Sequence, residues 1–239
     1  MNSLSRSARA ATLPLLLLAV FVAACSTPGE EGMPAESPDA DRALVVYTVN
    51  YPLQYLAERI GGDRVEIHLP TPPESDPAYW SPGADEIAGY QGADLVLLNG
   101  AGYAKWVSTV SLPASRVVDT SAGFSDRVIV VESAVTHSHG PEGDHSHGEA
   151  AFTTWLDPEL ASAHAVAIHD ALVAASPADA ERFAEGLAEL EADLVDLDAR
   201  LSRATAGAPG RSLLASHPVY QYLARRYDVD LRSVHFEPD

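Results

Sequence analysis

Short apolar segments that alternate with helical segments constrain the fold of this 239-residue sequence more than any other feature. Residues 43–49 and 93–98 are apolar runs, and residues 65–69 alternate between apolar and polar side chains, as strands do. Residues 52–60, which follow the first run, carry leucine and isoleucine at helical spacing and end at a glycine pair. Strands that alternate with helices predict an α/β fold with a doubly wound parallel sheet.

A long amphipathic helix is predicted between Ser176 and about Ala204. At about 1.5 Å per residue, this helix is roughly 40 Å long, which is more than one small lobe needs. We therefore expect a rigid spine that joins two lobes, and a helical hairpin packed on the sheet is the alternative. The apolar side chains fall on one stripe: Phe183, Leu187, Leu190, Leu194, Leu197 and Leu201.

The predicted organisation places one α/β lobe before this helix and another after it. After Pro209 and Gly210 the sequence predicts a single strand–helix–strand unit, which is too small for a hydrophobic core of its own. We therefore expect an incomplete second lobe in a sequence that is truncated at its C-terminus, and a vestigial second lobe is the alternative. The predicted parts are a signal peptide (1–24), a flexible tether (25–42), the N-terminal α/β lobe (43–135), a His-rich loop (136–150), the helical spine (151–205) and the start of the C-terminal α/β lobe (210–239).

The first residues predict export and lipid anchoring. Arg6 and Arg9 precede an apolar core at 12–24 that is too short to span about 30 Å of hydrocarbon. Small residues then precede Cys25, the only cysteine of the sequence, and this arrangement resembles a bacterial lipoprotein signal. A plain secretory signal with an incidental cysteine is the alternative. We expect the lipid on Cys25 to hold the chain on the outer face of the plasma membrane, in the cell envelope.

The charge of the sequence and its motifs exclude several functions. Acidic side chains outnumber basic ones by 34 to 15, for a net charge of −19 at pH 7. The chain therefore lacks the basic footprint that nucleic-acid binding requires and suits cations instead. The motifs G-x-x-x-x-G-K-[ST], G-x-S-x-G and H-E-x-x-H are absent. We expect no enzymatic activity, because a metal-dependent hydrolase would need a general base that the sequence does not place.

A histidine-rich segment indicates transition-metal binding. Four of the nine histidines form two His-x-His pairs: His137, His139, His145 and His147. Glycine and proline keep this segment irregular, so that the imidazoles can converge on one ion. Neutral imidazole nitrogens suit tetrahedral Zn²⁺, whereas Mn²⁺ prefers carboxylates. A solvated polar loop that binds no metal is the alternative.

Two further histidines follow predicted strands. His217 comes directly after the apolar segment 213–215 and before Pro218, at the carboxyl end of a strand, where α/β folds bind ligands. His235 occupies the same kind of place after the last predicted strand. The alternatives are a capping or core role for His217 and an ordinary exposed position for His235.

The other three histidines are interpreted as structural or surface residues. His68 lies in a predicted strand, on the face opposite its apolar residues. His164 and His169 are five positions apart in a predicted helix, about 140° round its axis, so they cannot chelate one ion together. We expect both to lie on the surface. Asp157, at the start of that helix, is expected to cap it.

A series of short motifs, each weak alone, is specific through its order. The motifs are Val49-Asn50-Tyr51-Pro52-Leu53, Gly61-Gly62-Asp63, Asp76-Pro77, Ala93-Asp94-Leu95-Val96, Asn99-Gly100, the His-rich loop, Trp155-Leu156-Asp157-Pro158 and Ser216-His217-Pro218-Val219-Tyr220-Gln221-Tyr222-Leu223. Together with the lipoprotein signal, this order resembles the metal-binding lipoproteins of bacterial ATP-binding-cassette importers for zinc and manganese, the cluster A-I solute-binding proteins. The resemblance implies two α/β lobes joined by a long helix, with the metal between them, and a permease and ATPase as partners.

The ligands of that family carry over only in part. A ligand histidine usually follows the Asp-Pro of the first loop, where this sequence has Ala78, and another usually precedes the tryptophan by two residues, where it has Thr153. A third matches His217, and the acidic fourth would fall beyond Asp239. We expect His235 and one or two of the loop histidines to complete a tetrahedral site with His217; loss of metal capture is the alternative.

The resemblance and the histidines together predict a function. We expect a monomeric extracytoplasmic receptor that binds zinc, with manganese as the less suited ion, and delivers it to an ATP-binding-cassette importer. The alternative is an envelope-anchored zinc buffer or metallochaperone without a dedicated transporter.

Overall fold

The computed structural model of this chain describes residues 42–131, 149–207 and 212–233. The predicted signal peptide, the predicted tether up to residue 41, the four loop histidines and His235 lie outside the described residues, and Cys25 is part of that tether. None of the helices in the described ranges combines the length and the apolar character that a bilayer crossing requires.

A four-stranded parallel sheet forms the centre of the fold, in the order β2-β1-β3-β4. Its strands are β1 (Leu44–Thr48), β2 (Val65–His68), β3 (Leu95–Leu98) and β4 (Val117–Asp119). In the middle of β1, Val46 pairs with Ile67 on one side and with Leu95 on the other. The apolar runs of the sequence are therefore buried parallel strands, and the predicted α/β fold is confirmed.

Two smaller strand pairs accompany this sheet in the described ranges. The strands β5 (Val130–Val131) and β6 (Glu149–Ala150) pair antiparallel, whereas β7 (Ser212–Ala215) and β8 (Asp230–Ser233) pair parallel. One helix connects β7 to β8, as the strand–helix–strand pattern of the sequence predicts.

The helices are α1 (Tyr51–Gly61), α2 (Ala84–Gly92), α3 (Pro158–Ala175), α4 (Ala180–Thr205) and α5 (Gln221–Tyr227). The predicted cap of α3 is confirmed, because Asp157 Oδ1 accepts a hydrogen bond from the main-chain N–H of Glu159 at 3.0 Å. The sequence predicts Ser81 as the N-cap of α2 and Pro82 as its first residue. This prediction is wrong, because α2 begins at Ala84, after the extended residue Gly83. Ser81 instead lines a cavity beside Trp106.

A second departure concerns the segment 103–110, which the sequence predicts as helical. Only a 3₁₀ segment, Lys105–Thr109, forms there. Ala104, directly before it, has a left-handed backbone with φ of 54°, and an α-helix cannot run through that conformation.

The main hydrophobic core lies between the sheet and the helices α1, α3 and α4. Leu53 of α1, Ile168 of α3 and Leu190 of α4 meet Val46 and Leu97 of the sheet, and all five are almost completely buried. On α4 the predicted apolar stripe is buried mainly in its first half, because Phe183 and Leu190 are inaccessible whereas Leu197 is 41% exposed.

Close contact between α4 and α1 depends on Gly186. A Cβ atom placed on Gly186 would lie only 2.6 Å from the main-chain oxygen of Ile60 and 2.8 Å from that of Arg59. Because these obstacles are backbone atoms near the end of α1, a side chain cannot be accommodated by a rotamer change. The two helices can therefore approach this closely only with glycine at this position.

A network of charges holds α5 against α3 and α4. The guanidinium of Arg226 makes two 2.7 Å hydrogen bonds to Asp198, one of 2.8 Å to Glu159 and a 3.1 Å ion pair with Asp157. Tyr227 also donates to Asp198 at 2.7 Å. The hydrogen bonds from Arg226 and, to a lesser extent, from Tyr227 keep the pKa of Asp198 below its usual range. The network joins one residue of α5 to acids on two helices and to the cap of α3.

We predict that Gly186→Ala destabilises the fold by about 1–3 kcal/mol, even though alanine favours helix formation, because the added methyl group meets the backbone of α1. Gly92→Ala is the matched control, since nothing lies within 4 Å of a Cβ placed there. Unfolding in urea would measure both variants. Equal stability of the Gly186→Ala variant and the wild type would contradict the close contact.

We also predict that Arg226→Ala lowers the free energy of unfolding by about 2 kcal/mol, because it removes hydrogen bonds to charged groups and leaves partly buried carboxylates without their partner. Arg200→Ala is the control, because its side chain is 68% exposed and lies 3.8 Å from Asp196. Such a surface pair contributes less than about 1 kcal/mol. If both variants lose the same stability in thermal unfolding, the Arg226 network has no special role.

Candidate metal site

Two buried asparagines define the carboxyl edge of the sheet. Asn50 follows β1 and Asn99 follows β3, and each is 1% exposed. Asn50 Nδ2 donates to Asn99 Oδ1 at 3.1 Å, and Asn99 Nδ2 donates to the main-chain oxygen of Phe152 at 2.9 Å. These bonds satisfy the buried amides and tie the edge of the sheet to the segment before α3.

A cavity of about 340 Å³ opens beside this edge. The loop after β2, the segment from β6 towards α3 and the turn between β7 and α5 enclose it. His217 belongs to that turn and lines the cavity, so the structure places this histidine where a ligand can reach it. The residues around the cavity are Asp76, Tyr79, Val131, Ala150, Ala151, Phe152, Thr153, His217, Pro218, Val219 and Gln221.

His217 is exposed and has one ring nitrogen available. Its Nδ1 lies 3.0 Å from Ser216 Oγ, and its main-chain oxygen accepts a 3.2 Å hydrogen bond from Ser233 on β8. Within the described ranges, no hydrogen bond engages Nε2. The turn is thus held at its backbone, and Nε2 can bind an ion.

The two positions that usually carry ligand histidines hold side chains without a ligand nitrogen here. Ala78 is buried, at 4% exposure, and has no ligand atom in its side chain. The hydroxyl of Thr153 donates to the main-chain oxygen of Val219 at 2.5 Å. Among the described residues, no group of three or more His, Cys, Asp or Glu side chains is placed to hold a metal ion. The predicted roles of His137, His139, His145, His147 and His235 stay predictions.

Asp76, which the sequence shows only as part of the Asp-Pro motif, contributes a carboxylate to this cavity. Its Oδ1 accepts a hydrogen bond from the main-chain N–H of Ala78 at 2.9 Å. The half-buried side chain of Tyr103 hydrogen-bonds to the side chain of Asn50 and senses the charge of Asp76. Its pKa is raised well above the usual range, first by burial and then by the charge of Asp76.

Asn50, Asn99 and Asp76 could have been found by the reasoning that found His217. The first two are polar residues that directly follow buried strands, which is the signal used for His217. Asp76 lies in the loop after the strand ending at His68. In the sequence these residues are separate, and only the parallel sheet shows that they share one edge.

The prediction that His164 lies on the surface is wrong. The side chain is completely buried, with Nδ1 2.7 Å from Thr120 Oγ1 and Nε2 2.8 Å from Thr154 Oγ1. Thr120 donates its single hydroxyl proton to the main-chain oxygen of Leu98, so Nδ1 carries the imidazole proton and Thr154 donates to Nε2. Burial lowers the pKa of His164 to about 4, although the charge of Asp119 opposes this shift.

The error arose because spacing between histidines does not say which face of a helix is buried. In α3, His164 belongs to a row at every fourth position whose other members are all inaccessible: Leu160, Ile168 and Leu172. His169 lies outside this row, half-buried beside Asp170. His68, expected to be structural, stacks on the ring of Tyr47 with centroids 4.8 Å apart.

We predict that His164 makes the fold sensitive to acid. Because its folded-state pKa is depressed, the unfolded chain binds more protons between the ordinary value of 6.5 and about 4. Stability from this residue is therefore present above pH 6.5 and falls by up to about 1.4 kcal/mol per pH unit below it.

The test compares the free energy of unfolding in urea at about pH 7 and about pH 5 for the wild type and His164→Gln. We expect the difference between the two proteins to shrink at the lower pH, because glutamine does not titrate in this range. A difference that stays constant between the two conditions would contradict a buried neutral imidazole.

Comparison with known proteins gives a consistent picture. The sequence profile of the family described as "Zinc-uptake complex component A periplasmic", ZnuA, matches residues 46–239. The chain is 26% identical over 217 residues to the zinc-binding lipoprotein AdcA of Streptococcus pneumoniae, covering 89% of this chain and 41% of that protein. It is 30% identical over 224 residues to the high-affinity zinc uptake system protein ZnuA of Bacillus subtilis, covering 88% and 66%.

Further similarities concern the metal and the fold. The manganese ABC transporter substrate-binding lipoprotein PsaA of Streptococcus pneumoniae is 26% identical over 226 residues, covering 89% of this chain and 68% of that protein. A crystal structure of ZnuA superposes with a TM-score of 0.68 at 26% identity, covering 82% of this chain and 72% of that one. The chain thus spans about 41% to 66% of the length of the two zinc-related relatives.

Proposed function

Because this chain belongs to the zinc-uptake complex component A family, we propose that it is an extracytoplasmic receptor that binds zinc and delivers it to an ATP-binding-cassette importer. The observation that carries this proposal is the position of His217, at the cavity beside the carboxyl edge of the sheet. The names of two relatives, the zinc-binding lipoprotein AdcA and the high-affinity zinc uptake system protein ZnuA, support zinc as the cargo. No covalent chemistry is required of such a receptor.

The proposed ligands are imidazoles. His217 anchors the ion through Nε2, and His235 with one or two loop histidines completes a tetrahedral set: His137, His139, His145 and His147 are the candidates. Neutral imidazole is a better ligand for Zn²⁺ than for Mn²⁺, which supports zinc over manganese even though PsaA is named for manganese.

The proposed location is the outer face of the plasma membrane. A lipid on Cys25 would anchor the chain, and residues 26–42 would act as a tether. This proposal is supported by the description of AdcA and PsaA as lipoproteins. We propose a monomer in which the lobe at 43–135, the helical segment at 151–205 and the unit at 210–239 together present the ion to a permease and its ATPase.

We predict that His217→Ala weakens zinc binding by at least about 100-fold, since even changes next to a ligand cost 10- to 100-fold. His169→Ala is the matched control, because it removes an imidazole that does not line the cavity. Isothermal titration of the full chain in detergent, with Zn²⁺ alone, would measure both. Wild-type affinity in the His217→Ala variant would refute the assigned anchor, and a wild type that binds no zinc would refute the function.

Delivery to an importer is tested separately in cells. We expect deletion of the gene for this chain to reduce the accumulation of radioactive zinc at low external zinc concentration. A copy of the wild-type gene should restore accumulation, whereas a copy that encodes the His217→Ala variant should not. If the purified protein binds zinc but the deletion strain accumulates as much zinc as the parent strain, the protein is instead an envelope-anchored buffer or metallochaperone.

A further inference from the structure

We propose that Asp76 supplies a carboxylate ligand to the ion in the 340 Å³ cavity, together with the imidazole of His217. This inference rests on the function proposed above, and it adds to the site an oxygen donor from the loop after β2. The site would then be a mixed carboxylate and imidazole site rather than one of imidazoles alone. Zn²⁺ accepts both donor types, at about 2.0–2.2 Å.

Asp76 and His217 reach one cavity from different parts of the fold. Asp76 comes from the loop after β2, whereas His217 comes from the turn after β7, and both line the same cavity. Among the described residues around this cavity, Asp76 is the only carboxylate and His217 the only imidazole. An ion held between them would join the large sheet to the strand–helix–strand unit that carries His217.

Hydrogen bonds within its own loop hold the carboxylate of Asp76. Asp76 Oδ1 accepts from the N–H of Ala78 at 2.9 Å, and the main-chain oxygen of Asp76 accepts from Tyr79 at 3.1 Å and from Trp80 at 2.9 Å. These bonds fix the direction of the side chain at its loop. In the part of the chain that the structure describes, Oδ2 takes no hydrogen bond, so this oxygen can bind an ion without breaking the turn.

The two positions where the resemblance implies ligand histidines offer no imidazole nitrogen. Ala78 is buried without a ligand atom, and the Thr153 hydroxyl is bonded to Val219. An oxygen from Asp76, two residues before Ala78, comes from the same loop. The raised pKa of Tyr103, which responds to the charge of Asp76, is consistent with a carboxylate that faces this region.

A structural role for Asp76 is the competing explanation, because Oδ1 closes the turn at Ala78. Asp76→Asn separates the two roles, since the amide oxygen can still accept from Ala78 while the anionic ligand is lost. Glu74→Gln is the matched control: it removes the same charge from the same loop, at an exposed residue that does not line the cavity.

The experiment measures the affinity of the full chain in detergent for Zn²⁺ alone, by calorimetric titration, for the wild type and the variants Asp76→Asn, Asp76→Glu, Glu74→Gln and His217→Ala. We expect Asp76→Asn to weaken binding by at least about tenfold, Asp76→Glu to recover part of the loss, and Glu74→Gln to bind like the wild type. Thermal unfolding without metal should be the same for the wild type and Asp76→Asn.

The outcomes separate this inference from the function. If the wild type binds zinc and His217→Ala weakens binding while Asp76→Asn does not, the carboxylate ligand is refuted and the receptor function stands. Equal losses in Asp76→Asn and Glu74→Gln would also overturn the inference, because they would reflect charge rather than ligation. A lower unfolding temperature for Asp76→Asn without metal would assign the residue to the loop turn alone.

Discussion

Parallel pairing of β1 with a strand on each side is the constraint on which the rest of the structure depends. Because all strands of the sheet run the same way, the segments that leave their carboxyl ends emerge along one edge. Asn50 and Asn99 meet there, and Asn50 also caps α1, with its Oδ1 accepting from Leu53 at 3.1 Å. The side chain of Asn50 therefore both caps α1 and bonds to Asn99 at the edge of the sheet beside the cavity.

The position of His217 depends on how α5 is held, because this residue lies in the turn that leads into α5. Tyr222 of α5 is fully buried, donates to the main-chain oxygen of Ala151 at 2.7 Å and accepts from the N–H of Ile129 at 3.0 Å. At the other end of α5, Arg226 is paired with three acids: Glu159 of α3, Asp198 of α4 and Asp157, which caps α3. A network in which every charged group has a partner is rigid, since breaking one bond leaves a desolvated charge. These contacts fix α5 against the rest of the fold and thereby position the turn that contains His217.

Local interactions explain what the sequence predicted well. The strands at 43–49 and 93–98 follow from apolar runs, and the cap at Asp157 follows from a hydrogen bond that spans two residues. The start of α2 and the segment 103–110 were predicted less well. Both depend on backbone conformations at Gly83 and Ala104 that side-chain patterns do not reveal.

The sequence by itself determined the α/β class and most strands and helices, and it marked His217 as a candidate ligand, because each follows from periodicity or from neighbours along the chain. Only the tertiary structure decided that His164 is buried and neutral, and that Asp76 and His217 share a cavity. The physical reason is that burial and convergence depend on which faces of distant segments pack together. The 140 residues between Asp76 and His217 contain no local pattern that shows that the two side chains line one cavity.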